Sequence, residues 1–298
     1  MNTAPICIFA YNRPVHLRRT IDALKSNRIA SQSDLIIYAD GPKNLDDTAA
    51  IQEVRSICRA VSGFKSLKIV ERPSNLGLSG SVISGVTETC EAFGRVIVLE
   101  DDLVVSSAFL DYMNAALQIY EQDESVFSIH GYVFPVKTRL PETFFLLGAD
   151  CWGWATWSRA WRQFEADGNE LLQKLTRQRL LRRFDFNGAY DYTGMLRRQI
   201  AGEINSWAIR WQASALLKGG LTLYPGRSLV KNIGFDESGT HGYATGEFDV
   251  EISHELVQVK RIPLCEDAIA FEAFAEYYRS MRPFILKRAA RWLMRRFK

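Results

Sequence analysis

Val96-Ile97-Val98-Leu99-Glu100-Asp101-Asp102 is a short apolar run that ends abruptly in three consecutive carboxylates. Such a run, bounded by polar residues, has the length of a buried strand. Three more precede it, Ile6 to Tyr11, Leu35 to Ala39 and Leu67 to Glu71, and they recur about every 30 residues. Helix-like stretches lie between them at Pro14 to Arg28, Asp47 to Val61 and Leu78 to Phe93. Strand-helix alternation at this spacing predicts right-handed βαβ units in a parallel sheet. Each strand is followed by a polar cluster: Tyr11-Asn12-Arg13-Pro14, Asp40-Gly41-Pro42, Arg72-Pro73-Ser74-Asn75-Leu76-Gly77, and Glu100-Asp101-Asp102. Ligands of open α/β sheets sit beyond the carboxyl ends of the strands, so all four clusters are expected on one rim.

The second half alternates less regularly. Ser106 or Ser107 is placed to cap a helix running to about Gln122, and short strands are predicted at Val126 to His130 and Thr143 to Leu147. After an aromatic cluster, Cys151 to Trp161, come a helical, Arg-rich stretch to about Ala201, a helix with Trp207 and Trp211 at i,i+4, and strand candidates at Leu221 to Tyr224 and Ser228 to Ile233. No internal repeat, low-complexity segment or Pro/Ser-rich linker interrupts the chain. The expected organisation is one domain in two halves, 1–125 and 126–278, followed by a distinct segment, 279–298.

Of the 298 residues 47% are hydrophobic and 24% charged, a balance that excludes a disordered, collagen-like or multi-span membrane chain. The length supports a large core without disulfide or metal staples. Cys7, Cys58, Cys90, Cys151 and Cys265 are odd in number, scattered and never paired as CxxC, which points to neither a disulfide framework nor a zinc site and implies a reducing compartment. The N-terminus lacks the basic start and apolar stretch of a signal peptide, and no window approaches the ~18 apolar residues of a membrane span, so a cytoplasmic protein is expected. The net charge of +3 hides an asymmetry: Arg279 to Lys298 carries eight basic residues and no acid, leaving the rest of the chain at −5. In that tail Leu286, Ala289, Leu293 and Phe297 line one helical face while Lys287, Arg291, Arg295 and Lys298 line the other. This is the pattern of an amphipathic helix at an anionic membrane surface, here the cytosolic face of the inner membrane; a solvated helix packed on the body shares it. An acidic body without a recognition module argues against nucleic acid.

Three adjacent carboxylates repel one another, and a bound cation relieves the repulsion. Hard divalent ions such as Mg2+ and Mn2+ favour carboxylate oxygens and often bind through one or two of them plus substrate phosphates. Taken alone, the triplet is equally consistent with acids placed at the start of a following helix. Extended geometry would put Glu100 and Asp102 on one side and Asp101 on the other. A guanidinium at Arg13 suits phosphate, a carboxylate at Asp40 suits a base or ribose, and Asn75 to Gly80 offers backbone N–H groups and a helix start to a diphosphate. Trp152, Trp154, Trp157 and Trp161 are candidate sugar platforms or core residues, whereas Trp207 and Trp211 read as a buried stripe. The Gly-rich run Asn232 to Gly242 suits a loop that closes over a ligand, with His241 in reach of a metal or phosphate. No HExxH or GxSxG motif is present, against a zincin or an α/β-hydrolase.

Tyr11-Asn12-Arg13-Pro14, the Asn75-Leu76-Gly77 turn and Leu99-Glu100-Asp101-Asp102-Leu103 together resemble the GT-A glycosyltransferases, both the N-acetylglucosaminyltransferase I type and family 2-like bacterial enzymes. The likeness extends from about residue 4 to residue 245 through Gly153-Trp154, a later Trp-containing helix and Ser238 to Gly242. It implies an α/β, Rossmann-like, mostly parallel sheet flanked by helices, with a mixed acceptor-side half. It further implies that Tyr11, Asn12, Arg13, Asp40, Asn75 and Gly77 surround a nucleoside diphosphate sugar, with Glu100 at the donor sugar and Asp101 near the ribose. Asp102 would be the direct ligand of Mn2+ or Mg2+, Trp154 would lie against the donor, and the loop ending at His241 would order over it. The family's catalytic base is an Asp just before the Trp of the later helix; here Glu203-Ile204-Asn205-Ser206-Trp207 stands there, so Glu203 is the candidate.

The resulting expectation is a metal-dependent, inverting hexosyl- or N-acetylhexosaminyltransferase. It would move sugar to a glycan or lipid-linked acceptor in cell-surface polysaccharide synthesis. A sugar nucleotidyltransferase and a non-catalytic sugar-nucleotide-binding or scaffold protein are the alternatives: the first lacks its Gly-rich opening here, and the second is kept open by the missing Asp.

Overall fold

A computed structural model describes residues 3–236 and 246–281. The chain begins with β1 (Ile6–Ala10), α1 (Pro14–Lys25), β2 (Asp34–Ala39), α2 (Thr48–Arg59), β3 (Ser66–Glu71), α3 (Gly77–Phe93) and β4 (Arg95–Glu100). Local sequence explains the alternation. Pro14 opens α1 at a position where its missing N–H costs nothing, and Leu17, Thr20, Ile21 and Leu24 form its buried stripe. In β1 all five residues are buried, as expected for a central parallel strand covered on both faces. Ile6, Ile8 and Ala10 join the core that includes Leu17 of α1 and Val54 of α2. Cys7 and Phe9 face the opposite way, toward Val82 and Val86 of α3. Helix α3 can lie close to the sheet because Gly85 has no side chain; a Cβ there would strike the Phe9 and Tyr38 rings.

The remainder comprises β5 (Leu103–Val105), α4 (Phe109–Ile119), β6 (Val126–His130), β7 (Thr143–Leu147), β8 (Trp154–Trp157), α5 (Ser158–Trp161), α6 (Gly168–Arg177), α7 (Leu181–Phe184), α8 (Tyr192–Ile200), α9 (Trp207–Leu217), β9 (Leu221–Pro225) and β10 (Val230–Asn232). Among the described residues a further helix, α10, covers 268–281. The eight-stranded sheet has the order β3-β2-β1-β4-β8-β6-β9-β7. β3, β2, β1 and β4 are mutually parallel; β8 is antiparallel to β4 and β6, and β7 to β9. This is a mixed α/β, mostly parallel Rossmann-like sheet of GT-A type, and it runs without a break across residues 125 and 126.

Two local expectations change. The acids are followed not by a helix but by β5, which pairs antiparallel with β10 in a separate ribbon, and the chain turns at Asp101 and Asp102 so that strand alternation stops at Glu100. Helix α4 starts only at Phe109; Ser106 Oγ accepts from Ala108 N at 3.0 Å, shaping the turn before the helix rather than capping it. Residues 282–298, the greater part of the basic tail, lie outside the described residues.

Candidate functional site

The carboxyl ends of β1 to β4 bring the predicted clusters onto one rim. After β1, Arg13 reaches back to the acid turn, its Nη1 donating to Asp102 Oδ2 at 2.8 Å. Asp101 Oδ2 accepts from the Tyr11 backbone N–H at 3.1 Å, and the Asp101 carbonyl accepts from Thr20 Oγ1 at 2.8 Å. The turn is therefore bound both to the segment between β1 and α1 and to the middle of α1. The β5–β10 ribbon carries the chain back over it: Ile233 N donates to the Asp102 carbonyl at 2.9 Å, and Gly234 sits so close that a Cβ there would collide with the Asp102 carboxylate and the Arg13 guanidinium. Asp236 then takes a hydrogen bond from Arg13 Nη2 at 3.1 Å and faces His16 Nε2 at 2.9 Å.

Burial is the first influence on all three acids. It raises Glu100 well above the ordinary carboxylate range, with Asp102 and Asp101 adding repulsion. Asp101 is pushed up to about 7 by burial and then by Asp102. Asp102 is also raised by burial, although the Arg13 guanidinium opposes the shift. This turn thus gathers three carboxyls in a poorly hydrated place where their charged forms are disfavoured unless a cation balances them. Asp102 Oδ1 is buried with no hydrogen-bond partner among the described residues. The donor set is all oxygen, and one buried lone-pair site stands open, which fits a hard divalent cation. Among the described residues no group of three His, Cys, Asp or Glu side chains could by itself hold a metal ion.

Asp40 holds the second and third clusters together. Its Oδ1 accepts from Gly41 N and Leu76 N at 2.9 Å, and its Oδ2 from Gly77 N at 2.9 Å and Asn75 Nδ2 at 3.1 Å. Asn75 Nδ2 also donates to the Gly41 carbonyl at 3.0 Å. Gly77 adopts φ +69°, a backbone state that favours glycine, as it turns into α3. Gly41 passes so near the Ser74 backbone that a Cβ would clash. Tyr11 and Asn12 are anchored by a residue not singled out in the sequence, Asp47, which accepts from Tyr11 OH at 2.6 Å and Asn12 Nδ2 at 2.8 Å. Those two hydrogen bonds hold Asp47 below the usual carboxylate range.

Two of the predicted residues, Trp154 and Glu203, do not join this cluster. Trp154 is wholly buried in β8, stacked on Trp207 at 5.3 Å between ring centroids and packed against Trp161 and Trp211. It offers no face to a sugar, because its strand lies between β4 and β6 and its ring is covered by α9. Glu203 is exposed in the turn before α9. His241 lies outside the described residues. Sequence reading also missed His16 and Asp236. His16 stands one helical turn beyond Arg13, a spacing that brings side chains together; Asp236 lies inside the Asn232 to Gly242 run, where nothing in the sequence singles it out.

A family model described as "Glycosyl transferase family 2" matches residues 6–204. Among solved structures, the mannosyltransferase PcManGT from Pyrobaculum calidifontis, in complex with GDP-Man and Mn2+, shares 12% identity at a TM-score of 0.33 over 45% of this chain and 36% of its own. TarS from S. aureus shares 10% at 0.32 over 49% and 25%. A protein titled mannose-1-phosphate geranyltransferase from Thermus thermophilus shares 14% at 0.37 over 76% and 74%. The match thus spans about a third of the length of the first of these and a quarter of the second.

Proposed function

The chain belongs to glycosyl transferase family 2, and on that footing we propose that it transfers a sugar from a nucleoside diphosphate donor to a hydroxyl of a glycan or lipid-linked acceptor, in a divalent-metal-dependent, inverting reaction. The observation that carries this reading is the buried acid turn with an open Asp102 oxygen beside the Arg13 guanidinium. Asp102 is the residue to hold Mn2+ or Mg2+, with Glu100 beside it facing the donor sugar. When bound, the ion would offset the charge of the diphosphate and lower the barrier to its departure. Arg13, released from Asp102, has the planar fork that suits a phosphate. Asp40, with both oxygens occupied, supports the donor by fixing the Asn75–Gly77 turn rather than by direct contact. Asp47 would play the same part for Tyr11 and Asn12. The resemblance assigns the acceptor proton to Glu203.

Turnover of UDP-, GDP- and dTDP-sugars with Mn2+ tests the reading. Asp102→Ala is expected to lower turnover by about a hundredfold or more, and chelation to abolish it; activity indifferent to both overturns the proposal. The basic tail supports a lipid-linked acceptor at an anionic membrane face. The full chain is then expected to float with phosphatidylglycerol vesicles and not with phosphatidylcholine vesicles, and equal behaviour on both removes that part.

A further inference from the structure

A second carboxylate reaches the same rim from the other half of the sheet. The register pairs Trp154 with Val98 of β4 and with His130 of β6, so the residues just before Trp154 run past the tips of both strands, next to Glu100. Gly131 N donates to the Gly153 carbonyl at 2.7 Å, and Trp152 N to His130 Nε2 at 3.0 Å, which fixes this path. A Cβ at either Gly131 or Gly153 would strike Val230 of β10, so the ribbon that covers the acid turn also rests on this segment. Asp150, Cys151 and Trp152 stand here half-buried. The Trp152 ring is held by Tyr132, Phe235 and Phe248 at centroid distances of 4.8 to 5.4 Å. Asp150 Oδ2 accepts from Tyr224 OH at 3.3 Å, and no cation pairs with it among the described residues. Aromatic walls with one convergent polar group are the make-up of a sugar subsite.

We infer that Asp150 is the general base of the transfer, taking the proton of an acceptor sugar hydroxyl in a subsite walled by Trp152. The inference rests on the glycosyltransferase reading and replaces Glu203 in it. The acceptor O–H bond breaks and its proton passes to a carboxylate oxygen of Asp150. The acceptor oxygen forms the bond to the anomeric carbon, and the bond from that carbon to the diphosphate oxygen breaks with its electron pair leaving on the nucleoside diphosphate. Burial suits Asp150 to the task, because it lifts the carboxyl to about 6, near the pH at which a base is both ionised and strong enough. The titratable groups facing it are Cys151, Tyr132 after β6, Tyr190 and Tyr192 at α8, Tyr224 of β9 and Tyr278 of α10. Burial raises every one of them, so they stay neutral where Asp150 ionises. Glu203 is exposed, and among the described residues no hydrogen bond or ion pair orients its carboxylate.

The test measures nucleoside diphosphate release from the same donor panel with Mn2+, water serving as acceptor, for the full chain and two variants. Asp150→Asn is expected to lower kcat by about 100- to 10,000-fold, with donor KM and donor-induced thermal stabilisation unchanged and the acidic limb of the kcat profile lost. Tyr224→Phe removes a hydrogen bond that favours the charged carboxylate, so it keeps most of kcat at high pH and moves the acidic limb upward; this variant decides the matter if Asp150→Asn does not fold. Wild-type turnover in Asp150→Asn, a loss confined to donor KM, or an unmoved limb in Tyr224→Phe overturns the role of Asp150 and leaves the glycosyltransferase reading standing. A wild-type chain that releases no nucleoside diphosphate from any donor, or an Asp102→Ala variant as active as wild type, overturns that reading and this inference with it.

Discussion

His130 ends β6 with 1% of its surface exposed, and its Nε2 accepts the Trp152 N–H. An accepting nitrogen requires a neutral ring, and burial pushes the imidazole down from 6.5 to about 3. Between those two values the unfolded chain binds a proton that the folded chain refuses. Stability from this residue is therefore complete above pH 6.5 and lost as pH falls toward 3, on the order of 5 kcal/mol across the whole range. Asp150 acts in the opposite sense: raised to about 6, it is protonated in the folded chain before the unfolded one, so its contribution grows as pH falls from 6. A difference between variants isolates the histidine. His130→Gln retains an acceptor and loses the titration, so its thermal midpoint is expected to fall less than that of wild type between about pH 7.5 and 5; parallel curves would show that His130 is not the acid-sensitive group.

Elements built from uninterrupted local pattern were legible. The strands predicted at Val126 to His130 and Thr143 to Leu147 carry those bounds in the structure, and the four runs of the first hundred residues become β1 to β4. β8 was not legible, because Trp154-Ala155-Thr156-Trp157 sits in an aromatic cluster whose composition suits a platform as well as a strand. What settles it is the space between β4 and β6, a property of the assembled sheet. Trp154 was misread for the same reason, and truncating a core tryptophan to Ala typically costs about 3–5 kcal/mol. The site divides along the same line. Arg13, Asp40, Asn75 and the acids follow strand ends, a position that periodicity alone locates. Asp47, Asp236 and Asp150 arrive through a loop, a ribbon and a return segment, whose paths depend on contacts as distant as Gly234 against Asp102.

The whole molecule is joined across the boundary at residue 125 by more than covalent chain. β8 pairs with β4 on one side and β6 on the other, so the sheet cannot separate into halves without losing a central ladder. On one face α3 of the first half is tied to the second at two points: Arg210 Nη2 of α9 donates to Ser79 Oγ at 2.6 Å, and Trp161 Nε1 to Thr87 Oγ1 at 2.9 Å. Arg210 is 8% exposed and also donates to the carbonyls of Ser206 and Ala166; breaking its contacts strands a buried guanidinium, a cost of several kcal/mol. Separate melting of the halves is therefore disfavoured. The distribution of chromophores makes this measurable, since all seven tryptophans lie from Trp152 onward, whereas helices occur throughout. Six of the seven tryptophans lie in the second half and Trp292 in the basic tail, so tryptophan fluorescence reports nothing of residues 1–125, whereas far-ultraviolet circular dichroism reports the whole chain. The two signals are expected to trace one superimposable urea transition, the mark of a single cooperative unit. A circular dichroism change that continues after the fluorescence change is complete would mean that β1 to β4 stand without β8, and that the two halves are separate folding units.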